Sequence, residues 1–408
     1  MQVLFVHPNY PAQFGPVSKR LAARDDVQVT FLSRSTSGVQ DGIRCLQFEP
    51  KGGATRATHY CSRTFENATW NAHAAFEKCH ATTDLRPDVI VGHSGFGTTA
   101  FLGELYEAPI VNLFEYWYLG RNTDMDFRPE FPPREIDYLR SKTRNAMIML
   151  DLQECARGYV PTEFQRDLIP KMWHPKLEVL HDGIDTDYWT RRTRPTSIAG
   201  VELPPGAPVV TFVSRGLEAM RGFDVFMRVA QRIAAVHPET RFLVVGGDRT
   251  HYGNDLRHIK EPTFREHVLA TQAPDIPNLH FLGMVSPDVL VDVFSASDLH
   301  LYLTVPFVLS WSMLNAMSCS TVVLGSDTAP VREVIEDGVT GLLAGFDDLS
   351  ALTEKALAVL ANVAGFRTIA ERARRQTVER YSLDTTYPQF CRLLDRVSSR
   401  EGFWSSAQ

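Results

Sequence analysis

Two arginines six residues apart, Arg215 and Arg221, flank a turn that contains Gly216 and follows the apolar run at 209–213. Guanidinium groups present a fork of donors and stay charged at any physiological pH, which suits them to a diphosphate. Either arginine alone is typical of an exposed loop. The pair, placed where a strand is expected to end, predicts an anion site.

A second candidate anion site lies at Ser310, Trp311 and Ser312. Ser310 is a good helix N-cap, and the residues after it predict a helix. The first amides of a helix, together with the positive end of its dipole, attract phosphate groups. Alternatively, Ser310 only caps the helix and Trp311 packs in the core. The two interpretations are compatible, and both stay open.

The sequence GFGTTA at 95–100 indicates a different chemistry. It follows a predicted strand and resembles the dinucleotide fingerprint GxGxxG/A, with Glu115 as the acidic residue about twenty positions on. That fingerprint normally follows the first strand of a domain, whereas this one follows the fourth. A tight turn also accounts for Gly95 and Gly97. An NAD-dependent Rossmann enzyme is therefore an alternative.

The composition of the chain argues against several classes of binding partner. The 408 residues carry 42 basic and 48 acidic side chains, a net charge of −6. A general nucleic-acid binder has a basic excess, so no nucleic-acid partner is expected. Six widely spaced cysteines and thirteen histidines form no metal-binding pattern, so no metal is expected either. Without a signal peptide or an apolar run of membrane-spanning length, the sequence predicts a cytoplasmic protein.

Short apolar runs separated by helical stretches occur twice along the chain. The predicted strands are 2–6, 27–32, 43–48, 88–91 and 109–114 in the first half and 209–213, 241–246, 279–282, 299–303 and 321–324 in the second. Continuous apolar character is typical of parallel strands buried on both faces. A proline- and arginine-rich stretch at 191–208 separates the two series.

This pattern predicts an α/β protein with two facing, doubly wound Rossmann-like domains. We expect the first domain at 1–190 and the second at 191–380. A C-terminal segment, 381–408, is expected to contain a helix that returns to the first domain. Ser350 is the predicted cap of a helix near the end of the second domain.

Taken together, these segments resemble the retaining GT-B glycosyltransferases, which include bacterial mannosyl- and glucosyltransferases that use nucleotide-sugar donors. The resemblance rests on Arg215 with Arg221, the helix start at 307–317, the run DTAPVREVIEDGVTG at 327–341 and HDGID at 181–185. It covers nearly the whole chain. It implies that the second domain binds the donor and the first domain binds the acceptor.

The resemblance implies roles for individual residues in donor binding. Arg215 and Arg221 hold the diphosphate, with Arg221 in place of the usual lysine. The amides of Ser310, Trp311 and Ser312 touch the distal phosphate.

The other matched positions are a glycine, a histidine and a nucleobase segment. Gly15 lets the backbone approach the diphosphate, and His93 stands near the transferred sugar. The nucleobase pocket is assigned to Gly283, Met284 and Val285.

The chain departs from the family at two donor-binding positions. The family has two glutamates eight residues apart, and here those positions are Phe307 and Asn315. An amide bonds a ribose hydroxyl more weakly than a carboxylate does, and a phenyl ring does not bond a sugar hydroxyl at all. A non-catalytic sugar- or nucleotide-binding relative is therefore an alternative.

Glu115, Tyr116 and Trp117 are candidate acceptor residues at the end of a predicted strand. The two rings are typical of core packing, and at this position they are also able to stack on a sugar while Glu115 bonds its hydroxyls. For His93, a purely structural role is the alternative to a position near the transferred sugar.

We therefore predict a retaining, metal-independent transferase that moves a sugar from a UDP- or GDP-sugar to a hydroxyl acceptor. The acceptor classes considered are a glycan, a lipid, a lipid-linked glycan and a small molecule. No cofactor is expected besides the nucleotide-sugar substrate. Peripheral contact with the inner membrane face and the oligomeric state are left open.

Overall fold

Two separate parallel sheets are formed by the two series of apolar runs. The computed structural model describes residues 1–398; part of the predicted C-terminal segment, 399–408, lies outside the described residues. The chain divides into two compact units. The predicted α/β class is confirmed.

The first unit consists of Met1–Arg121, Arg134–Gly183 and the described C-terminal residues 383–398. Its strands are β1 (Gln2–Val6), β2 (Gln28–Ser33), β3 (Gly38–Gln40), β4 (Ile43–Gln47), β5 (Val89–His93), β6 (Ile110–Leu113), β7 (Arg157–Val160) and β8 (Leu177–Val179). Its helices are α1 (Gly15–Ala22), α2 (Arg63–Ala81), α3 (Glu135–Glu154), α4 (Glu163–Leu168) and the C-terminal helix (Leu383–Asp395).

The sheet of the first unit has the order β3-β4-β2-β1-β5-β6-β7-β8. All neighbouring strands run parallel except β3 and β4. From β1 the chain builds the sheet outward in one direction and then, from β5, in the other. Ligands of open parallel sheets bind at such a reversal, beyond the carboxyl ends of the strands. His93 ends β5 at this point.

The C-terminal helix belongs to the first unit because it completes that unit's core. Phe390, Cys391, Leu393 and Leu394 are buried in the cluster that also holds β1 residues, and the Phe390 ring meets the Tyr159 ring at 6.0 Å. Fully burying one such side chain contributes about 1.5–3 kcal/mol. The predicted helix return to the first domain is confirmed.

The second unit consists of Asn122–Pro133 and Ile184–Ser382. Its strands are β9 (Ser197–Ile198), β10 (Val201–Glu202), β11 (Val209–Gly216), β12 (Arg241–Gly247), β13 (Leu279–Gly283), β14 (Leu299–Tyr302), β15 (Val323–Ser326) and β16 (Leu342–Ala344). Its helices are α5 (Phe223–Val236), α6 (Phe264–Gln272), α7 (Pro287–Ala296), α8 (Trp311–Ser318), α9 (Ala329–Arg332), α10 (Leu349–Ala361) and α11 (Val363–Tyr381).

The main sheet of the second unit has the order β13-β12-β11-β14-β15-β16, with every pair parallel. Its reversal lies between β11 and β14. The segments after these two strands contain Arg215, Arg221 and the start of α8, so the sheet brings together residues that are about ninety positions apart.

The observed division of the chain differs in detail from the expected one. The long continuous stretch of the second unit begins at Ile184 and ends at Ser382, close to the expected limits of 191 and 380. The short segment Asn122–Pro133 also belongs to the second unit, although the sequence placed it inside the first domain. The stretch at 191–208 includes the hairpin β9–β10.

One helix cap was predicted wrongly. α10 begins at Leu349, and the side chain of Asp348, not Ser350, accepts the hydrogen bond from the Ala351 amide at 2.9 Å. Asp and Ser are both good caps, so sequence alone did not distinguish two candidates two residues apart.

Candidate functional site

Arg221 is a buried cation at the reversal of the second sheet. Its side chain is 7% exposed, and Nη1 donates to Thr304 Oγ1 at 2.9 Å and to the Val308 carbonyl at 3.0 Å. These bonds join the turn after β11 to the segment before α8. Both acceptors are neutral, and no carboxylate of residues 1–398 forms an ion pair with this guanidinium.

Arg215 lies at the exposed end of β11, beside the loop that follows β12. Burial, and then the charges of Arg215 and Arg249, lower the pKa of His251. A Cβ on Gly216 would lie 2.3 Å from the Arg249 carbonyl oxygen, so only glycine permits this close backbone approach. The two loops therefore present a group of basic side chains that sequence reasoning found only in part.

Glu218 is a buried carboxyl in the turn between the two arginines, and the sequence analysis missed it. Oε2 accepts from the amides of His251 at 2.6 Å and Tyr252 at 3.0 Å. Oε1 is buried without a hydrogen-bond partner among the described residues. Burial raises the pKa of Glu218 to about 7, although the two amides and Arg221 oppose the rise.

The start of α8 confirms one prediction and changes another. Ser310 is the N-cap, since its Oγ accepts from the Ser312 amide at 3.3 Å. The Ser310 amide donates to the Tyr302 hydroxyl at 2.7 Å. Two of the three amides predicted to bind phosphate thus already have partners within the protein, and the Trp311 side chain is 40% exposed instead of packed in the core.

Phe307 and Asn315, the two departures from the family, occupy different settings. The Phe307 ring lies 5.1 Å from the Tyr252 ring, and the Arg221 guanidinium lies within 6 Å of both ring centres. Asn315 is 6% exposed on α8, and its Oδ1 has no partner among the described residues. The Arg221 guanidinium makes cation–π contacts with both rings.

The predicted nucleobase segment follows β13. Gly283 has a φ of +65°, and the Met284 side chain is 69% exposed. Val285 packs against the core of the second unit. Of the three residues of the predicted nucleobase segment, Met284 is therefore accessible to a ligand, and Val285 packs in the protein core.

His93 and Glu115 come together at the reversal of the first sheet. His93 Nε2 lies 3.6 Å from Glu115 Oε2, and His93 Nδ1 lies 2.9 Å from the Ser94 carbonyl oxygen. Gln13 Nε2 donates to Glu115 Oε1 at 3.1 Å. The His7 ring, from the residue after β1, lies 5.3 Å from the His93 ring.

The electrostatics of this cluster favour an ion pair. Burial disfavours a charged imidazole, but the nearby negative charge of Glu115 outweighs this effect and raises the pKa of His93. The pKa of Glu115 is lowered, because His93 and Gln13 outweigh its burial. Burial and the neighbouring His93 lower the pKa of His7 to about 3, which keeps that ring neutral.

A pocket of about 250 Å³ adjoins this cluster within the first unit. The residues that line it include His93, Glu115, Tyr116 and Arg144. Trp117, the third candidate acceptor residue, is buried in the core cluster and does not line the pocket.

Arg144 brings an uncompensated charge to the pocket. Its guanidinium carbon lies 3.4 Å from the centre of the Tyr118 ring. Its Nε is buried without a hydrogen-bond partner, and no carboxylate in the described part of the chain pairs with it.

The turn at 95–100 is not built as a dinucleotide fingerprint. The Gly95 amide and the Ser94 hydroxyl donate to Asp151 Oδ2 at 2.7 and 2.8 Å, so a buried carboxylate already occupies the position of the expected phosphate. A Cβ on Gly97 would lie 2.2 Å from the Ala68 carbonyl oxygen, which explains that glycine by packing. The turn continues into a short 3-10 helix (Leu102–Glu104), not into the long helix that the fingerprint requires.

Gly15 is the first residue of α1 and has an ordinary helical φ of −48°. A Cβ there would lie 3.1 Å from Pro11, so local packing already favours glycine. Its approach to a diphosphate stays a prediction.

Two properties of the described residues bear on metals and membranes. No group of three or more His, Cys, Asp or Glu in residues 1–398 could hold a metal ion. No single helix in the same range is long and apolar enough to cross a membrane; only α10 and α11 taken together meet the length and composition test, and they are bent by 106°.

Two family models match consecutive parts of the chain. Residues 25–189 match the glycosyl transferase family 4 group, and residues 207–362 match glycosyl transferases group 1. Among curated proteins, the D-inositol 3-phosphate glycosyltransferase of Mycobacterium sp. (strain KMS) is 26% identical over 201 residues, 48% of this chain and 43% of that protein. The enzyme of the same name from Rhodococcus jostii (strain RHA1) is 31% identical over 170 residues, 41% and 36% of the two chains. The chain thus spans less than half the length of these curated relatives.

Solved structures match the fold over almost its full length. Sucrose-phosphate synthase from Thermosynechococcus elongatus has a TM-score of 0.76 at 16% identity, covering 97% of this chain and 99% of that one. Anabaena HepE, solved in complex with UDP and glucose, has a TM-score of 0.67 at 16% identity, covering 97% and 100%. These structures support the fold, and the two family models together match most of both units. The chain belongs to the glycosyltransferases with the GT-B fold.

Proposed function

We propose that the protein transfers a sugar from a UDP- or GDP-sugar to a hydroxyl acceptor, with retention of anomeric configuration and without a metal ion. The observation that carries this proposal is Arg221. A guanidinium that is 7% exposed and bonded only to neutral oxygens favours an anion as its missing partner. Its position at the reversal between β11 and β14 is where parallel sheets bind ligands.

The donor diphosphate is the anion that fits this position. When the bond to the sugar breaks, negative charge grows on the leaving phosphate, and Arg215 and Arg221 stabilise it there. One such preorganised donor contributes about 3–4 kcal/mol to catalysis. This electrostatic contribution is what the proposal uses in place of a metal ion.

The first unit supports acceptor binding. Glu115, held as a carboxylate by His93, is an acceptor for a substrate hydroxyl at the edge of the pocket. His93, whose pKa Glu115 raises against the effect of burial, faces that carboxylate and in this arrangement positions it.

We propose that the acceptor carries an anionic group as well as hydroxyls. The half-buried Arg144 on the pocket wall supports this, because a guanidinium that has no carboxylate partner among the described residues favours a phosphate or carboxylate ligand. The mycobacterial and rhodococcal relatives are named for D-inositol 3-phosphate, a phosphorylated polyol, which is the chemical class that fits.

Calorimetric titration with UDP, GDP and their sugars tests the donor half. Arg221→Gln should weaken nucleotide binding about 10- to 100-fold, the effect of losing a charge-assisted bond to phosphate. Arg232→Gln, which removes an exposed arginine on α5, is the matched control and should leave binding unchanged. Equal affinity in wild type and a folded Arg221→Gln variant would contradict the proposal.

A nucleotide-binding protein without transferase activity is the second candidate. Phe307, packed against Tyr252 at the position of a family glutamate, favours it. Nucleotide binding without any sugar transfer to phosphorylated polyols or glycans would support this candidate. Transfer with an α-configured product from an α-configured donor, read by NMR, would support retaining catalysis.

A further inference from the structure

The segment Asn122–Pro133 packs in the second unit, although the chain on both sides of it belongs to the first. Two of its rings anchor it. The Phe127 ring lies 5.5 Å from the Phe346 ring, and the Phe131 ring lies 5.6 Å from the Phe264 ring. Between these anchors stands Arg128, whose side chain is about 7% exposed.

Arg128 binds the first turn of α5 through Asp224. Its Nη2 donates to Asp224 Oδ2 at 2.8 Å, and its Nη1 donates to Oδ1 at 3.2 Å. The Asp224 side chain is 8% exposed, so this two-bond ion pair is largely shielded from water. Shielding and paired geometry make such a contact stronger than an ordinary surface ion pair.

The same guanidinium also reaches the turn that carries Arg221. Arg128 Nη1 donates to the Ala219 carbonyl at 2.9 Å. On the other side of Ala219, its amide donates to Asp255 Oδ2 at 2.8 Å. Ala219 is the first residue of the 3-10 turn Ala219–Arg221. Side chains from two distant segments therefore hold the start of the turn that carries Arg221.

The end of this turn has little freedom either. Gly222 has a φ of +65°, and a Cβ there would lie 2.6 Å from the Leu303 Cβ. Packing around Gly222 fixes the end of the turn, and the contacts of Ala219 fix its start. Loss of the Arg128 contact would therefore move the Arg221 guanidinium while the packing around Gly222 changes less.

We propose that Arg128 is a positioning residue for donor binding, which sets the Ala219–Arg221 turn so that Arg221 meets the diphosphate. This inference rests on the proposed function. Arg128 acts through the turn, and its guanidinium is engaged with Asp224, with the Ala219 carbonyl and, through Nε, with Glu130 at 3.4 Å. Its removal should therefore affect the donor and not the acceptor.

The test compares Arg128→Lys with Arg228→Lys. Arg228 donates to the same Asp224 carboxylate at 2.8 Å from within α5 but has no bond to the turn, which makes it a matched control. Arg128→Lys keeps the charge and loses the fork, so its Kd for UDP or GDP should rise about tenfold, the scale of one charge-assisted bond. The KM for the acceptor should stay unchanged, and Arg228→Lys should bind nucleotide as wild type does.

Hydrogen exchange supplies a readout independent of activity. The amides of Arg221 and Gly222 should exchange faster in Arg128→Lys and at the wild-type rate in Arg228→Lys. A nucleotide Kd within twofold of wild type in Arg128→Lys, or an equal loss in Arg228→Lys, would overturn the inference. If wild type binds neither nucleotide, the proposed function fails, and the exchange rates still decide whether Arg128 positions the turn.

A second variant covers the case in which Arg128→Lys does not fold. Asp224→Asn weakens the hold on Arg128 but leaves its side chain and the Ala219 carbonyl in place. We expect a smaller rise in the nucleotide Kd for this variant. An unchanged Kd in folded Asp224→Asn would also count against the positioning role.

Discussion

Glu218 is 1% exposed, and its carboxyl accepts two backbone amides from the loop after β12. Replacing it in Glu218→Gln keeps an oxygen that can accept both amides and removes the ionisable group. Because burial raises the pKa of Glu218 to about 7, the folded protein binds this proton more tightly than the unfolded chain does. The variant should therefore have a stability that depends on pH differently from wild type.

The sign and size follow from proton linkage. A folded-state pKa of about 7, against 4.5 for an ordinary glutamate, corresponds to about 3 kcal/mol. Between these two values the folded state holds more protons than the unfolded state, so wild type loses stability as pH rises from 4.5 through 7. The Gln variant lacks this loss. Relative to wild type, it should gain about 3 kcal/mol between pH 4.5 and pH 8.

Urea unfolding of wild type and Glu218→Gln across this pH range measures the effect. Asp151, a buried carboxyl of the first unit, titrates in both proteins and cancels in the difference, whereas Asp255, whose charge helps to raise the pKa of Glu218, adds a coupled contribution. Glu354→Gln, at an exposed position on α10, is the control and should show no pH-dependent difference. A difference between Glu218→Gln and wild type that stays constant from pH 4.5 to 8 would refute the reasoning about this carboxyl.

Three further predictions concern the two binding halves. Sugar transfer should persist in excess EDTA; a complete loss that Mg²⁺ or Mn²⁺ restores would contradict metal independence. Asn315→Ala should weaken nucleotide binding by about 0.5–1.5 kcal/mol and Asn315→Glu should strengthen it, measured by calorimetry, if the side chain faces the ribose. A lower Tm for Asn315→Glu without nucleotide heat would indicate a buried, unpartnered charge instead. Arg144→Gln should raise the KM of a phosphorylated acceptor about tenfold and leave that of a neutral one unchanged; equal changes for both would argue against an anionic acceptor.

The sequence predicted those strands that are continuous apolar runs. β1 and β5 were found within a residue or two, because burial on both faces leaves a run of Val, Ile and Leu. β7 was missed, since its sequence RGYV is short and begins with a charged residue. The transfer of Asn122–Pro133 to the second unit was not predictable either, because its anchors are tertiary contacts of Phe127, Arg128 and Phe131.

At the candidate site, too, some residues were predictable from the sequence and others were not. Arg215, Arg221 and Ser310 were predicted from residue type and spacing at strand and helix ends. Glu218 and Asp151 were missed, since a carboxylate in a polar turn or a helix is usually exposed. Their roles depend on burial, which sheet order determines and local sequence does not.

The C-terminal helix has a consequence for synthesis of the chain. Its partners in the first unit, including Phe5 and Tyr159, leave the ribosome long before residues 383–395 are made. The intervening stretch Ile184–Ser382 has 199 residues, and at about 5–20 residues per second its translation takes about 10–40 s. During that interval the nascent first unit exposes the apolar surface that the helix later covers. A chain released before residue 383 would keep this surface exposed, and we expect such a product to be bound by chaperones or to aggregate.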